Sequence, residues 1–165
     1  MKKAFLLLGL FLFIFVTTGC GTKNIDLSVE EIVDKVYESV DGEFAKMNKT
    51  ELTNDNLSYY LGVESLDFKE GIASEPLINA IAHSVVVVRV NDGVDVEKTK
   101  AEIKEKVNPN KWVCVSVDPN NVIVDSIGDV IILIMDNTYS TQLDEGFKSL
   151  AESKKWNFKK DLTLR

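Results

Sequence analysis

Apolar residues recur at the spacing of one helical face between residues 29 and 40. Six of them follow an i, i+3, i+4, i+7, i+8, i+11 pattern, namely Val29, Ile32, Val33, Val36, Tyr37 and Val40. Ser28 and Glu31 have the spacing of a capping box. Leu27 is placed to pack on Ile32, and Gly42 is placed to end the helix. The polar face is mainly acidic, whereas helices that lie on membranes are usually basic, so the pattern predicts packing on a core.

Runs of β-branched and apolar residues indicate strands. The clearest is residues 82–90, where Val85–Val88 is apolar on both faces, as a central strand would be. Further strands are predicted at residues 112–117, 122–127 and 130–135, with a turn at 118–121, a hairpin turn at Gly128–Asp129 and a weaker strand candidate at 66–73.

Capping residues and helical spacing indicate three more helices. A short helix over residues 57–61 is predicted to stop at Gly62. Asp95 is placed to cap a helix through Val107 with a narrow apolar stripe. A last helix is predicted to begin at Ser140 or Thr141 and to give way near Lys154 to a basic, aromatic tail. Residues 43–56 form a polar stretch with no predicted element.

The order of these elements predicts an α+β fold. Helices lie before, between and after strands that are mostly joined by short turns, which favours a four- or five-stranded, mainly antiparallel sheet with helices packed on one face. The length predicts a single domain over residues 27–165.

The first twenty residues have the layout of a secretion signal. Lys2 and Lys3 precede an unbroken run of apolar residues and glycine over positions 4–16, which is too short to span a bilayer as a helix. The following Gly19–Cys20 pair resembles the lipobox of bacterial lipoproteins. That resemblance implies a signal peptide over residues 1–19, cleavage between Gly19 and Cys20, diacylglycerol on the Cys20 thiol and a lipidated tether over residues 20–26. The alternative is an ordinary secretory signal in which Cys20 is incidental.

Charge and cysteine content narrow the possible partners. Removing residues 1–19, and with them Lys2 and Lys3, leaves 17 basic and 26 acidic residues, a net charge of −9. An acidic domain is unsuited to nucleic acid and is repelled by anionic lipid, so the lipid anchor would have to hold the protein at the membrane. Cys114 has no partner for a disulfide within the mature chain once Cys20 is lipidated, and its strand-like surroundings predict a small buried apolar residue.

Several segments resemble a known family. They include Asp26–Ile32, Leu61–Val63, the Lys-Trp-Val-Cys-Val run from Lys111 and the Gly-Asp hairpin followed by residues 130–135. Together they resemble a family of small lipoproteins from Gram-positive bacteria that is catalogued only as a domain of unknown function. The likeness covers roughly residues 27–150 and consists mostly of packing positions, so it implies fold and location but no activity.

Residues suited to catalysis are few. His83 is the one histidine of the chain, and no zinc-protease pair, nucleophile elbow, phosphate-binding glycine loop or dinucleotide motif is present in the sequence. His83 is therefore interpreted as a strand-end or hydrogen-bonded histidine, with a role as a hydrolase base left open. No catalytic residue, metal site or cofactor is predicted.

Two groups of carboxylates and amides are candidates for a binding site. Asp92, Asp95 and Glu97 lack the spacing of an EF-hand loop, so capping and turn roles are favoured over calcium. Asp118, Asn120, Asn121 and Asp129 are interpreted as turn residues that gather at one end of the sheet.

The C-terminal segment is the one basic feature of the chain. Cations and aromatic rings alternate through Lys154, Lys155, Trp156, Phe158, Lys159 and Lys160. Such a segment is suited to contact with anionic lipid or acidic cell-wall polymers. The alternative is an edge strand whose aromatic rings pack on the sheet and whose lysines are solvated.

These observations predict a membrane-anchored lipoprotein and favour a binding role over an enzymatic one. We expect a non-catalytic interaction or ligand-binding domain at the outer face of the cytoplasmic membrane, with an envelope protein or a small ligand as its partner. The alternative is a small envelope hydrolase that uses carboxylates or His83.

Overall fold

The computed structural model describes residues 24–162 of the chain, and the side chains of residues 24–151. Its elements, in chain order, are α1 (Val29–Glu38), β1 (Met47–Glu51), α2 (Leu57–Leu61), β2 (Phe68–Pro76), β3 (His83–Val90), α3 (Val96–Lys106), β4 (Val122–Ile127), β5 (Val130–Asp136) and α4 (Ser140–Leu162).

The strands form one five-stranded antiparallel sheet in the order β1-β2-β3-β5-β4. The predicted α+β class and the antiparallel sheet are therefore confirmed. β3 is the central strand, as its doubly apolar sequence predicted, and Val85–Val88 is completely buried. The hairpin turn at Gly128–Asp129 is also confirmed, because Ile127 pairs with Val130 across it and Gly128 adopts a left-handed φ of 63°.

Helices cover both faces of the sheet, so the prediction of helices on one face was wrong. One core contains α1 and α4 with Val85 and Val87, and the other contains α2 and α3 with Val86 and Val88. The physical reason lies in the central strands themselves. Because β3 and β5 are apolar on both faces, each face must be shielded from water.

The first helix forms as the sequence indicated. The Ser28 hydroxyl accepts a hydrogen bond from Glu31 N, and the Glu31 carboxylate accepts one from Ser28 N, which completes the capping box. The predicted apolar face is buried against the sheet. The helix ends at Glu38, earlier than Gly42, because Ser39 caps the last turn.

Three local predictions were wrong. The polar stretch over residues 43–56 contains edge strand β1, whose exposed side chains hide it from a hydrophobicity pattern. Residues 112–117 form a loop in place of the predicted strand. α4 continues as a helix to Leu162, so both the predicted stop near Lys154 and the edge-strand alternative for the tail fail. After Gly146 this segment contains no glycine or proline to break the helix.

The N-terminal segment contacts one end of the sheet, which we name the hairpin end: the β4–β5 turn, the start of β2 and the end of β3. Asn24 packs closely on Gly128. A Cβ atom at position 128 would clash with the Oδ1 atom of Asn24. Ile25, within the predicted tether, is buried in the core. Arg89 donates hydrogen bonds to Leu27 O at 2.6 Å and to Asp129 Oδ1 at 3.0 Å, and so fixes the segment to the sheet.

Candidate functional site

Two loops lie at the opposite end of the sheet from the hairpin end, and their only charged residues are Lys111 and Asp118. Residues 77–82 join β2 to β3, and residues 107–118 join α3 to the turn before β4. Five large aliphatic side chains on these loops are exposed by 36–62 %, namely Leu77, Ile78, Ile81, Val113 and Val115. We name this set the apolar surface.

The two loops touch, so their side chains belong to one surface. Val113 N donates a hydrogen bond to Asn79 O at 3.0 Å. Trp112 and Val117 are buried on either side of the exposed residues and fix the second loop to the core. Several exposed apolar residues on adjoining loops mark an interaction site more often than an isolated exposed leucine does.

A buried lysine lies next to the apolar surface. Lys111 Nζ lies 2.5 Å from Glu75 Oε1 and 4.7 Å, 5.2 Å and 5.3 Å from the ring centres of Tyr59, Tyr60 and Trp112. Burial lowers the pKa of Lys111, and the Glu75 carboxylate opposes that change. The three rings and the carboxylate stabilise the cation while the loop residues beside it stay uncharged.

Cys114 lies between the exposed valines and is itself exposed, so the prediction of a buried apolar cysteine was wrong. Its φ of 62° is in the left-handed region, which costs a residue with a side chain roughly 1–2 kcal/mol. This left-handed residue interrupts the extended run that the sequence pattern predicted, and Val113 and Val115 on either side of it are exposed. Strained residues of this kind are frequent at functional sites.

His83 lies beneath the first loop in a buried network. Its Nδ1 is 2.7 Å from Asp136 Oδ2, its Nε2 is 2.8 Å from Tyr37 Oη, and Tyr37 Oη is 3.1 Å from Ser74 Oγ. Burial acts to raise the pKa of Asp136, but hydrogen bonds from His83 and from the N–H groups of Tyr139 and Thr138 outweigh it and lower the pKa. Burial raises the pKa of Tyr37.

This network confirms the interpretation of His83 as a hydrogen-bonded residue at a strand end. The imidazole is 2 % exposed, and side chains occupy both of its ring nitrogens. A general base must reach the proton that it removes, and here Tyr37 stands in that position. The arrangement orders α1, β3 and β5 relative to one another.

The three carboxylates of the first candidate group, Asp92, Asp95 and Glu97, each have a separate structural role. Asp95 caps α3 through Lys98 N, Asp92 pairs with Lys69, and Glu97 pairs with Lys100. Among the side chains of residues 24–151, no group of three His, Cys, Asp or Glu is arranged to hold a metal ion.

The second group divides between the two ends of the sheet, so the predicted gathering at one end was wrong. Asp118 N and Asn121 Nδ2 both donate to Asn137 Oδ1, near the apolar surface. Asp129 lies at the hairpin end, because β4 separates it from the turn at residues 118–121. The turn interpretation itself holds, since Asp118 Oδ1 accepts from Asn120 N.

A groove of about 640 Å³ lies between α3 and the loop after α2. Its lining includes five charged side chains, namely Glu64, Asp67, Asp95, Lys98 and Glu102. Pockets for small organic ligands are mostly apolar with a few polar groups, so this groove offers little to such a ligand.

The remaining predicted site residues lie outside the described side chains. The cleavage site at Gly19 and the lipidation site at Cys20 precede residue 24. Lys154, Lys155, Trp156, Lys159 and Lys160 belong to the helical backbone of α4, and the predicted contact with anionic surfaces stays a prediction.

Sequence reasoning missed the apolar surface, although a signal was present. The uncharged run from Leu77 to Val88 is longer than a typical strand of five or six residues, so part of it had to lie outside the sheet.

Comparisons with known proteins found no relative: no family model matches the chain, and no curated protein or solved structure shows a significant match. Within the described part of the chain, no helix combines the length and the apolar character needed to cross a bilayer.

Proposed function

We propose that this protein is a lipid-anchored interaction domain at the outer face of the cytoplasmic membrane, which binds an envelope protein through the apolar surface. The observation that carries the proposal is the pair of touching loops with five exposed aliphatic side chains at one end of the domain. The partner would present an apolar patch of its own, since burial of apolar area on both sides drives association.

The position of the N-terminal segment favours a protein over the bilayer as the occupant. Asn24 lies at the hairpin end, and three residues separate it from Cys20, so the four steps between them reach about 13 Å at about 3.3 Å per residue. The eight residues of β3 span about 25 Å between the two ends. An anchor on Cys20 would therefore hold the hairpin end near the lipid and direct the apolar surface away from it.

The location is tested by metabolic labelling with a fatty-acid analogue. We expect the wild-type protein to carry the label and to be found in the membrane fraction. The Cys20→Ser variant should carry no label and should be absent from that fraction. An unlabelled wild-type protein that is freely soluble would contradict the anchor.

The interaction is tested by crosslinking in intact cells. We expect a crosslinked partner with the wild type, its loss with Ile78→Asp combined with Ile81→Asp, and its retention with Thr53→Asp, an exposed control on another part of the surface. Equal crosslinking of all three proteins would contradict the proposed surface. Binding of the Cys20→Ser protein to lipid vesicles, abolished by the same double change, would identify the membrane as the occupant.

A further inference from the structure

The two edges of the sheet differ in how their outward main-chain groups are occupied. At the β4 edge, Ile127 pairs with Val130 across the hairpin turn, so the groups of Val122, Val124 and Ser126 point outward. Lys104 Nζ contacts Val122 O, Val122 N donates to Pro119 O, and Ser126 N bonds to Asp125 Oδ1. Three of the six outward groups at this edge are therefore occupied, which limits the addition of a further strand.

The β1 edge is open. Leu52 N donates to Gly71 O at 2.9 Å, and Leu77 N donates to Lys46 O at 3.2 Å, so the alternate residues Asn48 and Thr50 bond inward to β2. The main-chain groups of Met47 and Lys49 therefore point outward. No hydrogen bond among the described residues reaches these four groups.

An acidic stripe of α1 runs beside the open edge. Glu30, Asp34 and Glu38 repeat every four residues, about 6 Å apart along the helix, and all three are exposed. Lys49 of β1 reaches two of them, with Nζ 3.2 Å from Glu30 Oε1 and 2.6 Å from Asp34 Oδ1. Lys49 thus pairs with two of the three carboxylates, and Glu38 continues the stripe by one further turn of the helix.

We propose that the β1 edge binds an extended peptide segment of a partner by strand addition, and that this segment carries lysine or arginine at alternate positions. Main-chain hydrogen bonds to Met47 and Lys49 would supply the pairing, and the alternate side chains would supply the selectivity. Side chains two residues apart on a strand are about 6.7 Å apart, which matches the spacing of the acidic stripe. This inference requires neither the lipid anchor nor the apolar surface.

The test uses the purified full chain in detergent and a synthetic peptide of about ten residues in which lysine alternates with threonine. We expect binding by fluorescence anisotropy, with amide chemical-shift changes at Met47 and Lys49. A peptide with glutamate in place of lysine is expected to bind at least about tenfold more weakly. Equal binding of both peptides, or no binding of the lysine peptide at about 1 mM, would overturn the proposal.

Proline variants separate the main-chain contribution from that of the side chain. Lys49→Pro removes an outward N–H and is expected to weaken binding about tenfold relative to Lys49→Ala, which removes only the side chain. Val124→Pro is the matched control at the β4 edge and is expected to leave binding unchanged. If Lys49→Pro does not fold, Glu38→Lys replaces it as the test, with Glu105→Lys on α3 as its control. The proposed edge is contradicted if Lys49→Pro, or Glu38→Lys in its place, leaves binding unchanged. It is also contradicted if the matched control weakens binding to the same extent.

Discussion

The two ends of the sheet are built on opposite principles. At the hairpin end, Arg89 joins Glu70, Asp129 and the Leu27 carbonyl, and the polar groups there are matched to one another. At the other end, matched polar groups lie beneath the surface, and five aliphatic side chains face solvent above them. The difference indicates that the hairpin end serves stability, whereas the apolar surface has a composition that folding does not require.

The largest expected effect is at the hairpin end. Arg89→Ala would leave the Asp129 carboxylate, 16 % exposed, without its main cation and should lower the free energy of unfolding by about 3 kcal/mol. Lys69→Ala removes an exposed partner of Asp92 and a longer contact of 3.8 Å with Asp129, and should lower the free energy of unfolding by less than about 1 kcal/mol. Urea unfolding of both variants checks this, and similar midpoints would contradict the contrast.

The next effect lies beneath the apolar surface. Asp136→Asn should cost about 2 kcal/mol near pH 7, because the amide cannot reproduce the charged hydrogen bond with His83. The pKa of Asp136 is lower in the folded protein than in the unfolded chain, so its contribution is complete above about pH 4 and is lost as the pH falls through the folded pKa. Unfolding measured between about pH 7 and 3 should therefore show the two proteins converging, and a constant gap would refute this assignment.

A smaller gain in stability is expected within the apolar surface. Cys114→Gly removes the side chain from a left-handed residue and should raise the free energy of unfolding by about 0.5–1 kcal/mol. Cys114→Ala retains the unfavourable φ and should show no such gain. If partner crosslinking weakens in the glycine variant while stability rises, the strain is used for binding.

The smallest effect is expected at the exposed aliphatic residues themselves. Ile78→Ser, at a side chain that is 62 % exposed, should alter the free energy of unfolding by less than about 0.5 kcal/mol. Thermal unfolding checks this. A loss of several kcal/mol would show that the apolar surface supports the fold, and the contrast between the two ends would fail.

Local signals predicted most of the fold. The capping box of α1, the doubly apolar Val85–Val88 and the turn at Gly128 each express a preference of a few adjacent residues, and the structure satisfies all three. The strand predicted over residues 112–117 does not form. Its two ends, Trp112 and Val117, are fixed in the core, and the residues between them have no strand to pair with. Such a competition depends on the whole fold and leaves no local trace.

The site was less predictable for the same reason. His83 could be identified as the one histidine, but its partners Tyr37 and Asp136 are 46 and 53 residues away in the chain. The apolar surface combines two loops that meet only in the folded protein, through the bond between Val113 and Asn79.

The pairing of β3 with β5 has a consequence for how the chain folds. β1, β2 and β3 pair in chain order, with α2 between the first two, and β4 and β5 form a tight hairpin. Each of these two units forms from neighbouring segments of the chain, whereas β3 and β5 must meet across α3. We expect assembly of these two units to be the slow step of folding, because long-range closure costs the most chain entropy. The pairs His83–Asp136 and Arg89–Asp129 bracket this seam, and a slip of one residue would break both and turn the apolar faces of β5 over.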